Sequence, residues 1–537
     1  MVFNAFLGVG ATADAFGFAT RIPNVLQTLL GEGSLSASFI PVYSAELERD
    51  EEEAGRIAGA VAALLAVAAA VLVVLGVVFA RQITTLLLAF SGGSDDPRFE
   101  LTVRLLQIIF PSTGLLVLSA WCLGILNSHR QFFLSYVAPV LWNVAQITTV
   151  VGAAWLFPFD VVTTVFSDGI LTTGPLSDPA VNISVLDEVA EVAAWGFLGG
   201  SALQFLVQVP SVLRLVKGLR VRIDTSREGV REVLRRFVGA VSGRGVVQLS
   251  AFADTILAGA LTIGAVGALV NAQILYILPI SLFAMSVAAA ELPELSRLAG
   301  NDEEIRRRNV RGSEQIAFFV AFSALAYILL GDRIVGALFE RGEFNSDDTL
   351  LVWFTLGAYA LGLVPSSLSR LTMNTVWAHG DTAGPARIAV ARVAVSIVVA
   401  VAAMQLFDTI STSDIRSTVP TLFDGGHSDD SLRFGAMGIT LGSAVAAWLE
   451  FALLTRLAST HVRDLRPLRA MGPLITPLVS AAIVAIAMRV ATDDMWPPLA
   501  ALLAVGFSGL SYVGAAILLR VDAAQAVLVG PLKRLRW

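Results

Sequence analysis

Arg214-Leu215-Val216-Lys217-Gly218-Leu219-Arg220-Val221-Arg222, continued by Arg227, Arg231, Arg235 and Arg236, is a dense basic segment between long apolar stretches. Leu156 to Ala190 has no Lys or Arg and holds Asp160, Asp168, Asp178, Asp187 and Glu188. In a membrane protein Lys and Arg are retained in cytoplasmic loops, so the first segment is expected inside and the second outside. His129–Arg130, Arg297 with Arg306–Arg308 and Arg311, Arg456 to Arg469, and the tail Lys533–Arg534–Arg536 fall on the basic side. Asp95–Asp96, Asp347–Asp348, Asp424–Asp430 and Asp493–Asp494 fall on the other. The acidic stretch Glu46 to Glu53 is the exception, and it weighs little because the rule counts cations and not net charge.

The 537 residues are 55% hydrophobic and 15% charged, with a mean hydropathy of +0.74. That leaves too little polar surface to cover a soluble protein of this length. A span needs about 20 apolar residues. The stretches that meet this are 12–46 (kinked or broken), 54–80, 99–127, 133–156, 190–216, 231–260, 266–298, 313–333, 347–377, 384–406, 435–457, 470–491 and 496–520, about thirteen in all. The fold class is therefore an all-α polytopic membrane protein. Residues 1–217, 218–457 and 458–537 form three blocks, the first two expected as facing bundles of the kind secondary transporters use. A faint internal repeat, Ser36-Ala37-Ser38-Phe39-Ile40-Pro41 against Ala288-Ala289-Ala290-Glu291-Leu292-Pro293, fits that pairing.

Several function classes are excluded. Cys122 is the only cysteine, which leaves no intrachain disulfide and no cysteine cluster for zinc or iron–sulfur. The only lysines, Lys217 and Lys533, lie in no phosphate-binding GxxxxGK[ST] loop. His129, His379, His427 and His461 show no HExxH spacing, and no GxSxG elbow is present, so the chain is expected to be a transporter and not an enzyme. The net charge of −6 says little about partners, and no nucleic-acid partner is expected.

Ionisable groups inside spans cost about 2.5–3.5 kcal/mol each and should face a cavity or a partner. On that ground Asp14, Arg21, Asn24, Glu32, Arg104, Arg244, Gln248 and Gln273 are the candidate substrate-binding residues. Arg244 and Gln248 share a helix face at i, i+4, and an arginine there is suited to fork two hydrogen bonds onto phosphate oxygens; the bland alternative is an arginine snorkelling to the headgroups. Asp254, Asn374 and Asp381 offer oxygen ligands for a monovalent cation such as sodium, against the alternative that Asp381 belongs to a turn at a cytoplasmic helix end. No other cofactor is expected.

Taken together, Ala13-Asp14-Ala15-Phe16, Arg21-Ile22-Pro23-Asn24, Gly31-Glu32-Gly33-Ser34-Leu35-Ser36, Phe39-Ile40-Pro41-Val42, Ala138-Pro139-Val140-Leu141-Trp142-Asn143, Gly199-Gly200 with Gln204 and Gln208-Val209-Pro210, Leu338-Phe339-Glu340-Arg341-Gly342-Glu343-Phe344, and Gly380-Asp381-Thr382 with Pro385 form a family-ordered set. They resemble the MurJ (MviN) family of lipid II flippases. The resemblance implies the multidrug/oligosaccharidyl-lipid/polysaccharide exporter (MOP) fold, two pseudo-symmetric helix bundles plus two C-terminal helices. It also implies alternating access that carries lipid II, or a related undecaprenyl-pyrophosphate-linked glycan, across the bacterial cytoplasmic (inner) membrane. The expected protein is a monomer in contact with membrane lipids and with cell-wall synthesis proteins, its C-terminus in the cytoplasm.

The chain departs from the family pattern in three places. Met1 to Leu7 matches only the end of the family's first helix. Gln27 and Thr28 replace a basic pair, and Gln273 and Ile274 replace an acidic–arginine pair. Cavity positive charge then rests on Arg21, Arg104 and Arg244. Export of another lipid-linked oligosaccharide and a transport-inactive scaffold for cell-wall synthesis are the competing readings.

Overall fold

The computed structural model describes residues 2–156, 179–298, 301–381, 383–412, 432–493 and 495–525. Asp160, Asp168 and Asp178, Asp424–Asp430, Asp494 and the tail Lys533–Arg536 lie outside them. The described residues are helical throughout, apart from turns, short connections and an isolated bridge between Ser411 and Arg433.

The helices are α1 Val2–Leu7, α2 Ala11–Leu30, α3 Glu32–Leu47, α4 Glu51–Val78, α5 Ala80–Leu87, α6 Phe99–Ser128, α7 Phe132–Leu156, α8 Pro179–Leu215, α9 Glu228–Gly259, α10 Ala265–Pro279, α11 Ser286–Arg297, α12 Asp302–Phe339, α13 Ser346–Leu361, α14 Leu363–Ala378, α15 Ala383–Phe407, α16 Gly435–His461, α17 Ile475–Ala491 and α18 Pro497–Leu518. Ten helical segments among the described residues are long and apolar enough to cross a membrane, and α13 with α14, bent by 40°, make an eleventh span. Two of the thirteen expected spans, 12–46 and 231–260, are helical but fall short by length and composition. The first is split at Gly31 into α2 and α3, and α9 carries Arg231, Arg235, Arg236, Arg244 and Asp254.

The chain divides into two compact units. The first is residues 2–260 with Arg341–Glu343; the second is 261–340 and 344–537. The division falls at Ala260/Leu261 and not at 217, because α9 packs along α2 and α3 of the first unit. The C-terminal helices α17 and α18 pack on α12, inside the second unit, and form no separate block.

In the first unit α6 is central, with α2, α3, α4 and α8 around it. Its core joins Leu35, Phe39 and Tyr43 to Ile57, Trp121, Ile125 and Val230. The basic segment runs across α4 at two glycines: a Cβ on Gly55 would lie 1.8 Å from the Lys217 carbonyl oxygen, and one on Gly59 would lie 2.2 Å from that of Arg220. Lys217 pairs with Glu51 at 2.6 Å, and Arg227 pairs with Glu53. The acidic exception in the charge pattern is thus the electrostatic seat of the basic segment.

In the second unit α15 and α16 approach closely, since a Cβ on Gly438 would meet the Met404 nitrogen at 2.4 Å and one on Gly442 the Ala400 nitrogen at 2.7 Å. Small residues at that spacing let helix backbones touch where lipid gives no hydrophobic drive to associate. α12 is kinked at Leu330, whose φ of −125° and ψ of 15° break the helical ladder. Backbone groups freed inside a membrane need partners from neighbouring helices. The Trp353 indole N–H lies 3.2 Å from both the Tyr327 and Ile328 carbonyls, and Arg489 Nη1 donates to the Leu329 carbonyl at 3.0 Å. The Arg489 guanidinium also lies 4.8 Å from the Trp353 ring centroid and 2.9 Å from Asp332.

Arg489→Ala should therefore destabilise the second unit by about 3–5 kcal/mol, the cost of breaking a buried pair. The readout is the thermal midpoint of the detergent-solubilised chain. Arg520→Ala, at an exposed position, should leave it unchanged.

Candidate functional site

The polar groups of the first unit gather at one end. α2 starts at Ala11 and places Asp14 in its first turn, α9 ends at Gly259, and the α5–α6 connection brings Asp96 and Arg98 to the same point. Arg98 Nη1 donates to Asp14 Oδ2 at 3.0 Å; Nε and Nη2 hold Asp96 Oδ1 and Oδ2 at 2.9 and 2.7 Å. Its Nη2 also reaches the Gly259 carbonyl at 3.1 Å. The guanidinium lies 5.7 Å from the Phe18 ring centroid.

The Asp14, Asp96 and Arg98 side chains are 0%, 4% and 2% exposed, so each charge depends on the others for solvation. Burial by itself would raise the Asp96 carboxyl, but hydrogen bonds from Arg98 and Ser91 outweigh it and hold that carboxyl below its ordinary range. Arg98 thus binds α2, the α5–α6 connection and the last turn of α9 together.

Around this cluster Thr12 Oγ1 donates to Asp187 at 3.0 Å, and Arg104 pairs with Glu191 on α8 at 2.9 Å. Farther along α6 and α8, Gln204 and Gln208 both donate to Ser119 Oγ, at 3.0 and 2.9 Å.

The structure distributes the candidate residues among different jobs. Asp14 is fully buried and its carboxylate pairs with Arg98. Arg21 is half-buried, seven residues along α2 from Asp14 and so on much the same face. Asn24 is exposed, one turn farther on. Arg104 is exposed and already paired with Glu191. Gln273 is half-buried in α10 of the second unit. Arg244 and Gln248 belong to α9 and Glu32 opens α3, but their side chains lie outside the described residues.

Of the proposed cation ligands, Asp254 is in the first unit and Asn374 and Asp381 are in the second. Asn374 Nδ2 donates to the Ala288 carbonyl at 2.7 Å, and Asp381 Oδ1 accepts the Gly384 N–H at 2.8 Å and caps α15. Both side chains thus make structural hydrogen bonds, that of Asn374 through its amide nitrogen. Among the described residues no group of three or more His, Cys, Asp or Glu side chains is placed to hold a metal ion.

Arg98 is absent from the sequence-derived candidates because it sits one residue before an apolar span, in what reads as a loop. The DDPR run Asp95-Asp96-Pro97-Arg98 is the signal, an arginine beside two acids at a helix start.

Arg98→Ala should lower stability by about 3–5 kcal/mol, because it leaves two buried carboxylates without a counter-ion. Arg81→Ala, which breaks an exposed pair with Glu100 at 2.7 Å, should cost about 0–1 kcal/mol. Because the Asp96 carboxyl is depressed, its share is present at neutral pH and should be lost as pH falls below the ordinary carboxylate value of about 4. Thermal midpoints between pH 7 and pH 3 check both claims, and the acid loss should be smaller in Arg98→Ala.

Comparison with known proteins places this arrangement. The family model for lipid II flippase MurJ matches residues 3–413. A protein named lipid II flippase MurJ from Burkholderia cenocepacia is 29% identical over 399 residues, covering 73% of this chain and 71% of that protein. A relative named "Probable lipid II flippase MurJ" from Rhizobium meliloti is 29% identical over 522 residues, 95% of this chain and 86% of the relative. Among solved structures, lipid II flippase MurJ in an inward closed conformation superimposes with a TM-score of 0.70 and 22% identity, over 97% of this chain and 95% of the other. An inward-facing MATE-family transporter of the MOP superfamily gives 0.60 with 17% identity, over 86% and 93%. The chain is a polytopic membrane protein with the MOP-superfamily fold, and it belongs to the lipid II flippase MurJ family.

Proposed function

We propose that the chain flips lipid II, the lipid-linked peptidoglycan precursor, from the inner to the outer leaflet of the bacterial cytoplasmic membrane by alternating access, with its C-terminus in the cytoplasm. The observation that carries this reading is the family match over residues 3–413, supported by a MurJ fold that extends over 97% of the chain. The activity is transport and not catalysis. The charge pattern supports the sidedness: Lys217, Arg220 and Arg222 gather at the end of the first unit opposite the Arg98 cluster.

Lipid II presents a diphosphate, and moving it through the membrane interior requires cations that face water. Arg21 on α2 and Arg244 on α9 supply that charge in the proposed mechanism, with Asn24 and Gln248 as uncharged partners for the headgroup. The Arg98 cluster holds the last turn of α9, the helix that carries Arg244. The amides Gln204 and Gln208 are occupied with Ser119 and join the scaffold instead.

The test is rescue of a bacterium depleted of its own lipid II flippase. The chain should restore growth, Arg244→Lys should rescue poorly because it keeps charge but loses the planar fork, and Arg244→Ala should fail at equal membrane levels. Full rescue by Arg244→Ala would remove the diphosphate contact from the account. Failure of the unmutated chain, at normal membrane levels, would count against lipid II as its cargo.

A further inference from the structure

The second unit contains a charged cluster inside its spans that the proposed mechanism does not use. On α15 and α16, Arg392 Nη1 pairs with Glu450 Oε2 at 2.8 Å, with side chains 27% and 12% exposed. On α14, Ser366 accepts a hydrogen bond from the Tyr276 hydroxyl at 2.9 Å, and Arg370 follows at i+4 on the same face. Tyr276 stacks on Tyr359, 4.6 Å between centroids, which fixes the hydroxyl's direction. α14 packs on α16 and α16 on α15, and the charges of Arg392, Arg370 and Glu450 are all near enough to act on that hydroxyl.

Their depth follows from the helix ends. α14 and α15 are joined by a short turn, and His379, just past the end of α14, stacks on His461, the last residue of α16, at 4.9 Å. Measured inward from this shared level at 1.5 Å per residue, Arg370, Arg392 and Glu450 lie about 12, 14 and 17 Å deep. That is near the middle of a hydrocarbon core about 30 Å thick. Arg370 is more than two helical turns from its helix end, too deep for a short reach to the headgroups.

Two guanidiniums therefore share one carboxylate, and that carboxylate is held by Arg392. Among the described residues Arg370 is half-buried with no hydrogen-bond or ion-pair partner. An unbalanced positive charge at this depth is costly unless an anion or water meets it. Two arginines beside Tyr and Ser hydroxyls form a donor set that matches the oxygens of a phosphate group.

We propose that the second unit holds a phosphate-binding site of its own, in which Arg370, Tyr276 and Ser366 receive a phosphate oxyanion, and Glu450 occupies Arg392 until that anion draws it away. The ligand class is a phosphate-group oxyanion, inorganic or as a lipid headgroup. The site lies wholly within the second unit and does not depend on which lipid the protein carries.

The test uses the purified full chain. Binding of inorganic pyrophosphate is measured calorimetrically in detergent, and the thermal midpoint is measured in nanodiscs of phosphatidylcholine with and without phosphatidic acid. Arg370→Ala should weaken binding about tenfold or more, equivalent to loss of one charged contact. Glu450→Gln should tighten it about three- to tenfold, because it releases Arg392. The second variant separates a binding role from a folding one, since a merely structural ion pair predicts no gain on its removal. Pyrophosphate binding with this pattern supports a free-oxyanion site; a midpoint rise with phosphatidic acid alone, lost in Arg370→Ala, supports a lipid-phosphate site. No binding of either probe, equal binding by Arg370→Ala, or weaker binding by Glu450→Gln overturns the proposal.

Discussion

Hydrocarbon offers neither hydrogen bonds nor counter-ions, and the organisation of this molecule follows from that lack. Where α12 breaks at Leu330, the carbonyls of Tyr327, Ile328 and Leu329 receive donors from Trp353 and Arg489 on two neighbouring helices. Where α9 ends at Gly259, Arg98 supplies the donor and is itself neutralised by Asp14 and Asp96. Both of these irregularities are matched by side chains from other elements. These matches, more than apolar packing, tie the helices of each unit together, because apolar faces gain little by leaving lipid for one another.

The first unit shows how a long polar helix is anchored. Arg98 fixes one end of α9, and at the other end the basic segment preceding α9 is seated on Gly55 and Gly59 and paired with Glu51 and Glu53. The helix that carries Arg244 is therefore held at both ends. The second unit is built differently, with a tight α15–α16 pair and two terminal helices fastened to the α12 kink.

Much of the fold was legible from hydropathy and charge. The thirteen stretches read as spans are helical in the described residues, and the break expected within 12–46 falls at Gly31, between α2 and α3, whereas Pro23 lies inside α2. Eleven segments pass as spans on length and composition alone; α2 with α3, and α9, do not, since both carry the polar residues that made them functional candidates. The division at Ala260 was not legible, because the assignment of α9 to a unit depends on packing and not on its own composition. The candidate site was less legible than the fold. A search for ionisable residues inside spans found Asp14 but missed its partner Arg98, which lies just outside one. Asp381 shows the same limit: from sequence its carboxylate fits a cation site or a turn, and only the hydrogen bond to Gly384 shows the helix cap.

The central claim is that this chain delivers lipid II to the outer leaflet. The most direct measurement is the fraction of lipid II accessible to a membrane-impermeant enzyme that cleaves its diphosphate linkage, in cells depleted of their own flippase and expressing this chain. The account predicts that accessible lipid II returns to the level of undepleted cells and falls again with Arg244→Ala. Lipid II that accumulates out of the enzyme's reach, with the chain present at normal membrane levels, would contradict it.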